Sequence, residues 1–225
     1  YQITQHFKPL ATGGTLELRN GKKVRLRQLH IEEDAARLEH SPEKTLVDHN
    51  RCGTPLLEVV TEPDLTDGTE VGQFLALLRR SLRFSGIAEC DMHSGGFRVD
   101  LNVSVKSGKR VEIKNVGSFR AARNCVDVEV QRQCEVLKGG GNVRTETRHC
   151  LDESGHSTPS RDKEALAQYR YMPEPDLRPV RLSSEMLEDA RSLTGELPLE
   201  RERRFVAEYG LSEEEAGELL YAADE

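Results

Sequence analysis

The sequence lacks any apolar run close to the roughly 20 residues that a membrane-spanning helix needs. Hydrophobic residues make up 36% of the 225 residues, and the mean hydropathy of −0.62 is typical of a soluble protein. No signal or transit peptide precedes the first elements. That absence carries no weight, because the chain begins at Tyr1 without an initiator Met and we expect it to be a fragment of a longer protein.

The sequence also lacks an excess of positive charge and any closely spaced cysteine pair. The 32 basic side chains are outnumbered by 39 acidic ones, for a net charge of −7, which disfavours nucleic-acid binding through bulk electrostatics alone. A local basic face or a companion protein would have to supply the positive charge for such binding. The five cysteines are odd in number and show no C-x-x-C spacing. This favours free thiols in a reducing compartment over a disulfide framework or a zinc site.

Common catalytic motifs are missing as well. The sequence has no G-x-S-x-G, no Walker A loop and no G-x-G-x-x-G, which disfavours serine hydrolases and P-loop enzymes. Its one glycine run, 139–141, follows a predicted helix rather than opening one, so we interpret it as a helix end.

One acidic residue is present where apolar residues are expected. Glu58 stands between Leu56-Leu57 and Val59-Val60, in a segment whose composition predicts a strand buried on at least one face. A buried ionised carboxylate costs several kcal/mol unless a cation or strong donors compensate it. A structural ion pair and a metal ligand remain equally open explanations.

A hairpin is predicted before this strand. Asn20-Gly21, the pair that a type I′ turn prefers, separates Thr15–Arg19 from Lys22–Glu33. Residues alternate between the two faces of a strand, so Glu32 and Glu33 point in opposite directions and only one of them enters a given cleft. Gln28 and His30 share the face of Glu32.

Periodicity predicts the remaining elements. Period-2 alternation marks strands at 97–105, 111–115 and 143–148, and helical spacing marks 69–84, 119–137 and 162–169. We interpret the arginines of the first helix as a solvated face. The strands at 97–105 and 111–115 display polar side chains on one face, namely Arg98, Asp100, Asn102, Glu112 and Lys114.

The proline-rich segment 172–179 predicts a stiff linker, and only helical segments follow it, one of them opened by a Ser212–Glu215 capping box. We therefore expect an α+β domain at 1–180 and the start of an all-helical domain at 181–225. No internal repeat is present.

Carboxylate-rich strands beside basic and amide groups suit Mg²⁺ and phosphoryl transfer. Glu33 and Glu58 are the predicted metal ligands. Arg98, Asp100, Asn102 and Lys114 are candidates for a phosphate clamp. An ordinary solvent-exposed sheet face explains the same polar alternation. His30 and His93 are interpreted as surface or core-edge residues rather than ligands.

Longer blocks are more specific. HIEEDAARLEH (30–40), LVDHNRCGTPLLEVVTEPD (46–64), RVDLNVSV (98–105) and VEIKNVGSFR (111–120), followed by ETR (146–148) and RDKEALAQYRYMPEPDL (161–177), appear in order along nearly the whole chain. In these blocks the sequence resembles the GatB family, the B subunit of the glutamyl-tRNA(Gln)/aspartyl-tRNA(Asn) amidotransferase.

The resemblance implies an antiparallel-sheet cradle of the glutamine synthetase/guanido kinase-like type. It also implies use of ATP and Mg²⁺ to phosphorylate the side-chain carboxylate of Glu-tRNA(Gln), which ammonia then converts to the amide. The implied partners are the glutaminase subunit of the GatCAB complex, its small third subunit, which ties the other two together, and the tRNA, with no membrane. A non-catalytic paralogue or scaffold of the same fold is the alternative.

By motif, Glu33, Glu58 and Lys114 match catalytic positions, with Glu33 and Glu58 as metal ligands. Arg98, Asp100, Asn102 and Arg148 match cofactor-binding blocks. The family's EDAGK reads EDAAR here, so Ala36 and Arg37 replace glycine and lysine. The family's opening E-x-H block lies upstream of Tyr1, and the isolated fragment is expected to be inactive. The segment KNVGS and the thiol content favour a mitochondrion over a bacterial cytoplasm.

Overall fold

The computed structural model describes residues 4–160 and 175–221, which form two compact units. The first unit contains residues up to Leu65 and the segment that ends at Val180. The second unit contains Thr66–Ser160 and the residues from Arg181 onward. The predicted helix at 162–169 and the start of the proline-rich segment lie outside the described residues.

The first unit is built from antiparallel strands. Its main sheet has the order β1-β2-β5, and β3 pairs with β4 as a separate hairpin. The strands are β1 (Ala11–Glu17), β2 (Lys23–Glu33), β3 (Arg37–His40), β4 (Thr45–Asp48) and β5 (Pro55–Thr61). The predicted hairpin and the predicted Glu58 strand are therefore both confirmed.

The turn between β1 and β2 differs from the predicted type I′ turn. Leu18 N–H donates to Lys22 O at 2.8 Å and Gly21 N–H donates to Leu18 O at 2.9 Å, which encloses three loop residues. Of the Asn20-Gly21 pair only Gly21 has a positive φ, at 82°. A three-residue hairpin loop needs one residue in the left-handed region, and glycine supplies it without a Cβ penalty.

The prediction that β5 is buried is wrong. Leu57 remains 37% exposed and its cross-strand neighbour Ile31 is 42% exposed. On the opposite face of the sheet, the Glu58 side chain is 52% exposed. The apolar run around Glu58 thus forms a strand through its β propensity and pairing, without full cover on either face.

The second unit combines helices with a four-stranded sheet of order β6-β7-β8-β9. The β7–β8 pair is parallel and the other pairs are antiparallel, because α2 connects β7 to β8 as a crossover helix. The elements are α1 (Gly68–Phe84), β6 (Leu101–Val103), β7 (Val111–Lys114), α2 (Phe119–Lys138), β8 (Glu146–Cys150), β9 (Ser157–Pro159), α3 (Ser184–Thr194), α4 (Pro198–Tyr209) and α5 (Glu213–Tyr221). The α+β class is confirmed, with mainly antiparallel pairing.

The predicted strand at 97–105 is shorter in the structure, since ladder pairing covers only Leu101–Val103. The alternation still sets burial, with Leu101 and Val103 buried while Asp100 and Asn102 are exposed. The period-2 pattern therefore predicts which side chains are buried and which are exposed over a longer stretch than the one that forms ladder hydrogen bonds.

Helices α1 and α2 pack closely. Asp67 and Ser118 cap their N-termini, as predicted for Ser118. The Gly68 N–H donates to Asp127 Oδ1 at 2.8 Å, which links the start of α1 to α2. The interpretation of the α1 arginines as a solvated face is wrong for Arg79, which is partly buried with its guanidinium carbon 6.0 Å from the Phe119 ring centroid.

The C-terminal helices belong to the second unit, where α4 packs against α1. Arg201 places its guanidinium carbon 4.4 Å above the Phe84 ring centroid. The Ser212–Glu215 capping box is confirmed, with Ser212 N–H donating to Glu215 Oε2 at 2.8 Å and Glu215 N–H donating back to Ser212 Oγ at 3.2 Å. The division into domains at residue 180 stays a prediction. Among the described residues, none of the helices combines the length and apolarity of a membrane span.

Candidate functional site

The register of the first sheet brings three polar residues to one face. In the antiparallel β2–β5 pair, His30 lies directly opposite Glu58, and Glu32 lies opposite Leu56. Directly paired residues share a face, as do residues two apart on one strand. His30, Glu32 and Glu58 therefore converge, and we call them the carboxylate–histidine cluster.

The imidazole of His30 lies between the two carboxylates. Its Nε2 is 2.7 Å from Glu32 Oε1 and 2.9 Å from Glu58 Oε2. His30 is fully buried, whereas the side chain of Glu32 is 14% exposed and that of Glu58 is 52% exposed. The cluster thus combines a fully buried imidazole, that of His30, with a carboxylate that reaches solvent, that of Glu58.

Neighbouring side chains fix the buried end of the cluster. Gln28 Nε2 lies 3.2 Å from Nδ1 of His30, and Thr4 Oγ1 donates to Glu32 Oε1 at 3.3 Å. The ring of His6 packs edge-on at 5.8 Å from the ring centroid of His30. With Gln28 at Nδ1 and the carboxylates at Nε2, both ring nitrogens of His30 have hydrogen-bonding partners, which holds the ring orientation.

The electrostatics favour an ionised Glu32. Partial burial raises the pKa of its carboxyl, but the hydrogen bond with Glu58 and the hydrogen bond and charge of His30 outweigh burial and lower it. Thr4 adds a further lowering hydrogen bond. The surroundings of Glu32 therefore favour its carboxylate form.

These groups fit a divalent cation. One donor atom from each of the three residues lies within 4.8 Å of the others. Carboxylate oxygens are the ligands that Mg²⁺ prefers, while imidazole nitrogen suits transition metals, so Glu32 and Glu58 would hold Mg²⁺ and His30 would orient them. Mn²⁺ accepts both ligand types and is a suitable probe of the same atoms.

The structure does not bring Glu33 and Glu58 together. Glu33 lies opposite Pro55 and is one residue out of phase with His30 and Glu32, so its side chain leaves the other face of the sheet. The residue on the face of Glu58 is Glu32. In the strand geometry Glu32, and not Glu33, therefore shares a face with Glu58, while the metal-binding and catalytic roles of Glu33 stay predictions.

Sequence reasoning missed His30 and Glu32. The interpretation of His30 as a surface or core-edge residue is wrong, since its relative exposure is 0%. The alternation on β2 already placed Gln28, His30 and Glu32 on one face. What it could not supply was the register across the connection from residue 34 to residue 54, which decides the face that Glu58 shares.

The other predicted site residues lie in the second unit. Lys114 Nζ is 3.5 Å from Asp100 Oδ2 and 3.4 Å from Glu112 Oε1, so the structure brings Lys114 and Asp100 together. Asn102 pairs with Glu112 across the β6–β7 ladder and is exposed, as is Arg98. The Lys114 ammonium thus lies between two carboxylates on this sheet face.

Arg148 has a clear packing function in the structure. Its guanidinium donates from Nε to Ser157 Oγ at 2.8 Å and from Nη2 to Ser157 O at 2.6 Å, and Nη1 donates to Glu146 Oε1 at 3.1 Å. The side chain is 10% exposed and adjoins buried Glu129. These contacts tie β8 to β9 and α2, and the predicted cofactor-binding function stays a prediction.

Comparison with known proteins agrees with this architecture. The sequence model described as GatB/GatE catalytic domain matches residues 1–188. A protein from Elusimicrobium minutum, named as the B subunit of aspartyl/glutamyl-tRNA(Asn/Gln) amidotransferase, is 42% identical over 97% of this chain and 48% of its own length. Proteins of the same name from Caldicellulosiruptor saccharolyticus and Persephonella marina are 43% and 39% identical over 97% and 100% of this chain.

The chain spans about half the length of these relatives, at 48% for the first two and 49% for the third. All three source organisms are bacteria, which gives no support to the predicted mitochondrial location. The family match covers most of the 225 residues, and the relatives align along nearly all of them. The chain therefore belongs to the GatB/GatE catalytic domain family.

Proposed function

We propose that this chain carries the phosphoryl-transfer site of an ATP-dependent amidotransferase that acts on glutamate attached to tRNA(Gln). The carboxylate–histidine cluster is the observation that supports the proposal, because it sets two acidic side chains and a buried imidazole on one sheet face of a chain from this family. A carboxylate pair on rigid strands is the protein contribution that a Mg²⁺–ATP reaction requires.

The proposed reaction has two steps. The side-chain carboxylate of Glu-tRNA(Gln) attacks the γ-phosphorus of ATP and displaces ADP, which gives an acyl phosphate. Ammonia then adds to the acyl carbon and phosphate leaves, giving Gln-tRNA(Gln), ADP and inorganic phosphate. Activation is needed because phosphate is a far better leaving group than an oxide ion.

The residues of the first unit would hold the cation of this reaction. Glu32 and Glu58 supply carboxylate oxygens, and His30 keeps the Glu32 oxygen in place through the 2.7 Å contact. When bound, Mg²⁺ supplies charge neutralisation for the transferring phosphoryl group. The 52% exposure of Glu58 leaves room for phosphate oxygens to approach.

Lys114, in the second unit, enters the proposal through the family block VEIKNVGSFR in which it lies. Its ammonium lies within 3.5 Å of Asp100 and 3.4 Å of Glu112. Arg98 and Asn102 on the same stretch would add donors for nucleotide or substrate. Arg148 would act at a distance, by fixing the strand next to β7.

The family suggests the assembly. We propose that a partner glutaminase supplies the ammonia, that a small third protein of the GatCAB complex joins this glutaminase to the chain, and that the tRNA carries the substrate. Residues 1–180 would form a cradle of the glutamine synthetase/guanido kinase-like type, with 181–225 as the first helices of a helical domain. The bacterial relatives favour the bacterial cytoplasm as the compartment.

The test uses the full-length protein in its assembled complex and the substitution Glu58→Gln. Loss of one carboxylate charge at the proposed cation should lower formation of Gln-tRNA(Gln) by at least about a hundredfold, while glutamine hydrolysis by the partner glutaminase continues. Glu62→Gln is the matched control, because Glu62 directly follows the same strand but pairs with Arg27 at 3.0 Å outside the cluster. Wild-type amidation by Glu58→Gln would leave the chain as a binding scaffold.

A further inference from the structure

Two cysteines of the second unit lie side by side. Cys125 lies on α2 and Cys150 is the last residue of β8, and their sulfur atoms are 2.9 Å apart. Cys125 is fully buried, whereas Cys150 is only half-buried. The sequence by itself predicts five separate free thiols, because residues 25 apart in the chain carry no pairing signal.

The backbone around the pair is closely fitted. Gly155, in the loop that follows Cys150, has a positive φ of 84°, and a Cβ there would lie 2.3 Å from the backbone carbon of Asn124. Asn124 Nδ2 also donates to Glu153 O at 2.6 Å. The loop is thus held against the turn of α2 that carries Cys125. This backbone packing brings the loop after Cys150 close to Cys125.

We propose that Cys125 and Cys150 are a site of reversible oxidation, at which hydrogen peroxide converts the two thiols into a disulfide between α2 and β8. The thiolate of Cys150 attacks one oxygen of the peroxide, which gives a sulfenic acid and hydroxide. The sulfur of Cys125 then attacks the sulfenic sulfur, the S–O bond breaks, and the thiol proton leaves with the hydroxide as water. In sum, two thiols and one peroxide give one disulfide and two waters.

The order of these steps follows from access. Peroxide reaches half-buried Cys150 first, and Cys125 resolves the sulfenic acid from the interior. Burial raises the pKa of the Cys125 thiol, and so does its hydrogen bond to Cys150, so Cys125 stays protonated until its proton passes to the leaving oxygen of the sulfenic acid. The sulfurs, 2.9 Å apart as free thiols, would close to a disulfide bond of about 2.0 Å.

The cross-link would act on the sheet that carries Lys114. Strand β8 pairs in parallel with β7, with Lys114 opposite His149, the residue before Cys150. A bond from Cys150 to α2 would therefore fix the end of the strand beside Lys114. Dithiol reagents would restore the free thiols, so the modification is reversible.

The experiment treats the natural protein, folded, with hydrogen peroxide, blocks remaining thiols and maps tryptic peptides without reduction. Cleavage after arginine and lysine separates the relevant cysteines, because residues 124–132 contain Cys125, 133–138 contain Cys134 and 149–161 contain Cys150. We expect a linked 124–132/149–161 species that grows with peroxide dose and disappears on reduction with dithiothreitol.

Two variants test the assignment. Cys150→Ser, at a half-buried position, should abolish the linked species and leave 124–132 with a free thiol. Cys134→Ser, on the same helix as Cys125, should leave it unchanged. Oxidation of 149–161 to a sulfinic acid while 124–132 stays reduced would overturn the proposal. So would equal linkage in protein that was denatured before treatment, because the folded geometry would then have no effect.

Discussion

His30 Nε2 lies 2.9 Å from Glu58 Oε2 across the β2–β5 pair, and the two side chains differ sharply in exposure. His30 is buried and held at its other ring nitrogen by Gln28, at 3.2 Å. Glu58 reaches solvent from an antiparallel strand. A fixed imidazole therefore positions a carboxylate that stays accessible to a cation, which is the arrangement expected of a metal ligand with an orienting partner.

The first prediction distinguishes Glu32 from Glu33. Glu32→Gln should weaken Mn²⁺ binding at least about tenfold, because loss of an orienting contact alone costs about 10–100-fold in metal affinity. Glu33→Gln is the matched control, with the same substitution one residue away on the opposite sheet face. Isothermal titration calorimetry with Mn²⁺ measures both.

The opposite ranking of these two variants would contradict the cluster. If Glu33→Gln weakened Mn²⁺ binding and Glu32→Gln did not, the cation would lie on the other face of β2, as the predicted pairing of Glu33 with Glu58 requires. Equal affinities in both variants and the wild type would place the cation elsewhere.

The second prediction concerns the buried imidazole. His30→Ala should lower the free energy of unfolding by about 2–4 kcal/mol, since it removes a fully buried group and its 2.7 Å contact with the Glu32 carboxylate. His40→Ala serves as control, because His40 is exposed and its one described contact is with Thr45 at 2.9 Å. Urea unfolding followed by circular dichroism gives both values, and equal stabilities would show that His30 contributes little.

Much of the fold was predictable because periodicity reports local structure. The bounds of α1 and α2 and the capping by Ser118 followed from helical spacing and N-cap chemistry. The parallel β7–β8 pairing was not predictable, since it depends on where α2 returns the chain. Exposure of the Glu58 strand also escaped prediction, because an apolar run does not say what lies over it.

The sequence predicted that the site consists of carboxylates on two neighbouring strands, but it did not predict which of them face each other. Strand alternation showed that Glu32 and Glu33 leave opposite faces. The choice between them required the β2–β5 register, a long-range property set by the hairpin β3–β4 between those strands. Likewise, Arg148 lay in a block that resembles the family, and only its contacts with Ser157 showed how fully it is engaged in packing.

The third prediction distinguishes Arg148 from Arg98, both of which the sequence motifs assign to cofactor binding. Arg148→Ala should lower the free energy of unfolding by about 3 kcal/mol, because it leaves buried Glu129 with one cation fewer and breaks the contacts to Ser157. Arg98→Ala, at an exposed position, should change stability by less than about 0.5 kcal/mol. Thermal unfolding measures stability, and ATP titration of both variants measures the proposed nucleotide contact.

A larger loss of stability in Arg98→Ala than in Arg148→Ala would contradict the packing function of Arg148. Loss of ATP binding in Arg98→Ala with normal stability would support its place in the proposed clamp. Rescue of stability by Arg148→Lys should be incomplete, because an ammonium does not reproduce the forked contacts with Ser157 and Glu146.

The fourth prediction tests the contact between α1 and α2. A Cβ at Gly68 would lie 2.3 Å from the backbone oxygen of Arg123, so Gly68→Ala should separate the helices and lower stability by about 1–3 kcal/mol. Gly117→Ala is the control, since a Cβ there meets no atom within 4 Å. A Gly68→Ala protein as stable as Gly117→Ala would show that the two helices pack less closely than the structure indicates.

The last prediction uses the ion pair between Arg25 and Asp64. Arg25 Nη2 lies 2.6 Å from Asp64 Oδ1, and the Arg25 side chain and backbone N–H hydrogen bonds lower the Asp64 pKa to about 2. A carboxyl whose pKa is lower in the folded state stabilises the protein above its unfolded pKa of about 3.9. Asp64→Asn should therefore lower the urea midpoint at pH 7.

The stabilisation that Asp64 provides is lost in acid. As the pH falls from about 4 toward 2, the unfolded chain takes up the proton first, so the advantage of wild type over Asp64→Asn shrinks and disappears. Arg25→Met should show the same narrowing, and the double variant should lose little more than either single one. A difference between wild type and Asp64→Asn that stays constant from pH 7 to pH 3 would mean that Arg25 does not hold the Asp64 carboxylate.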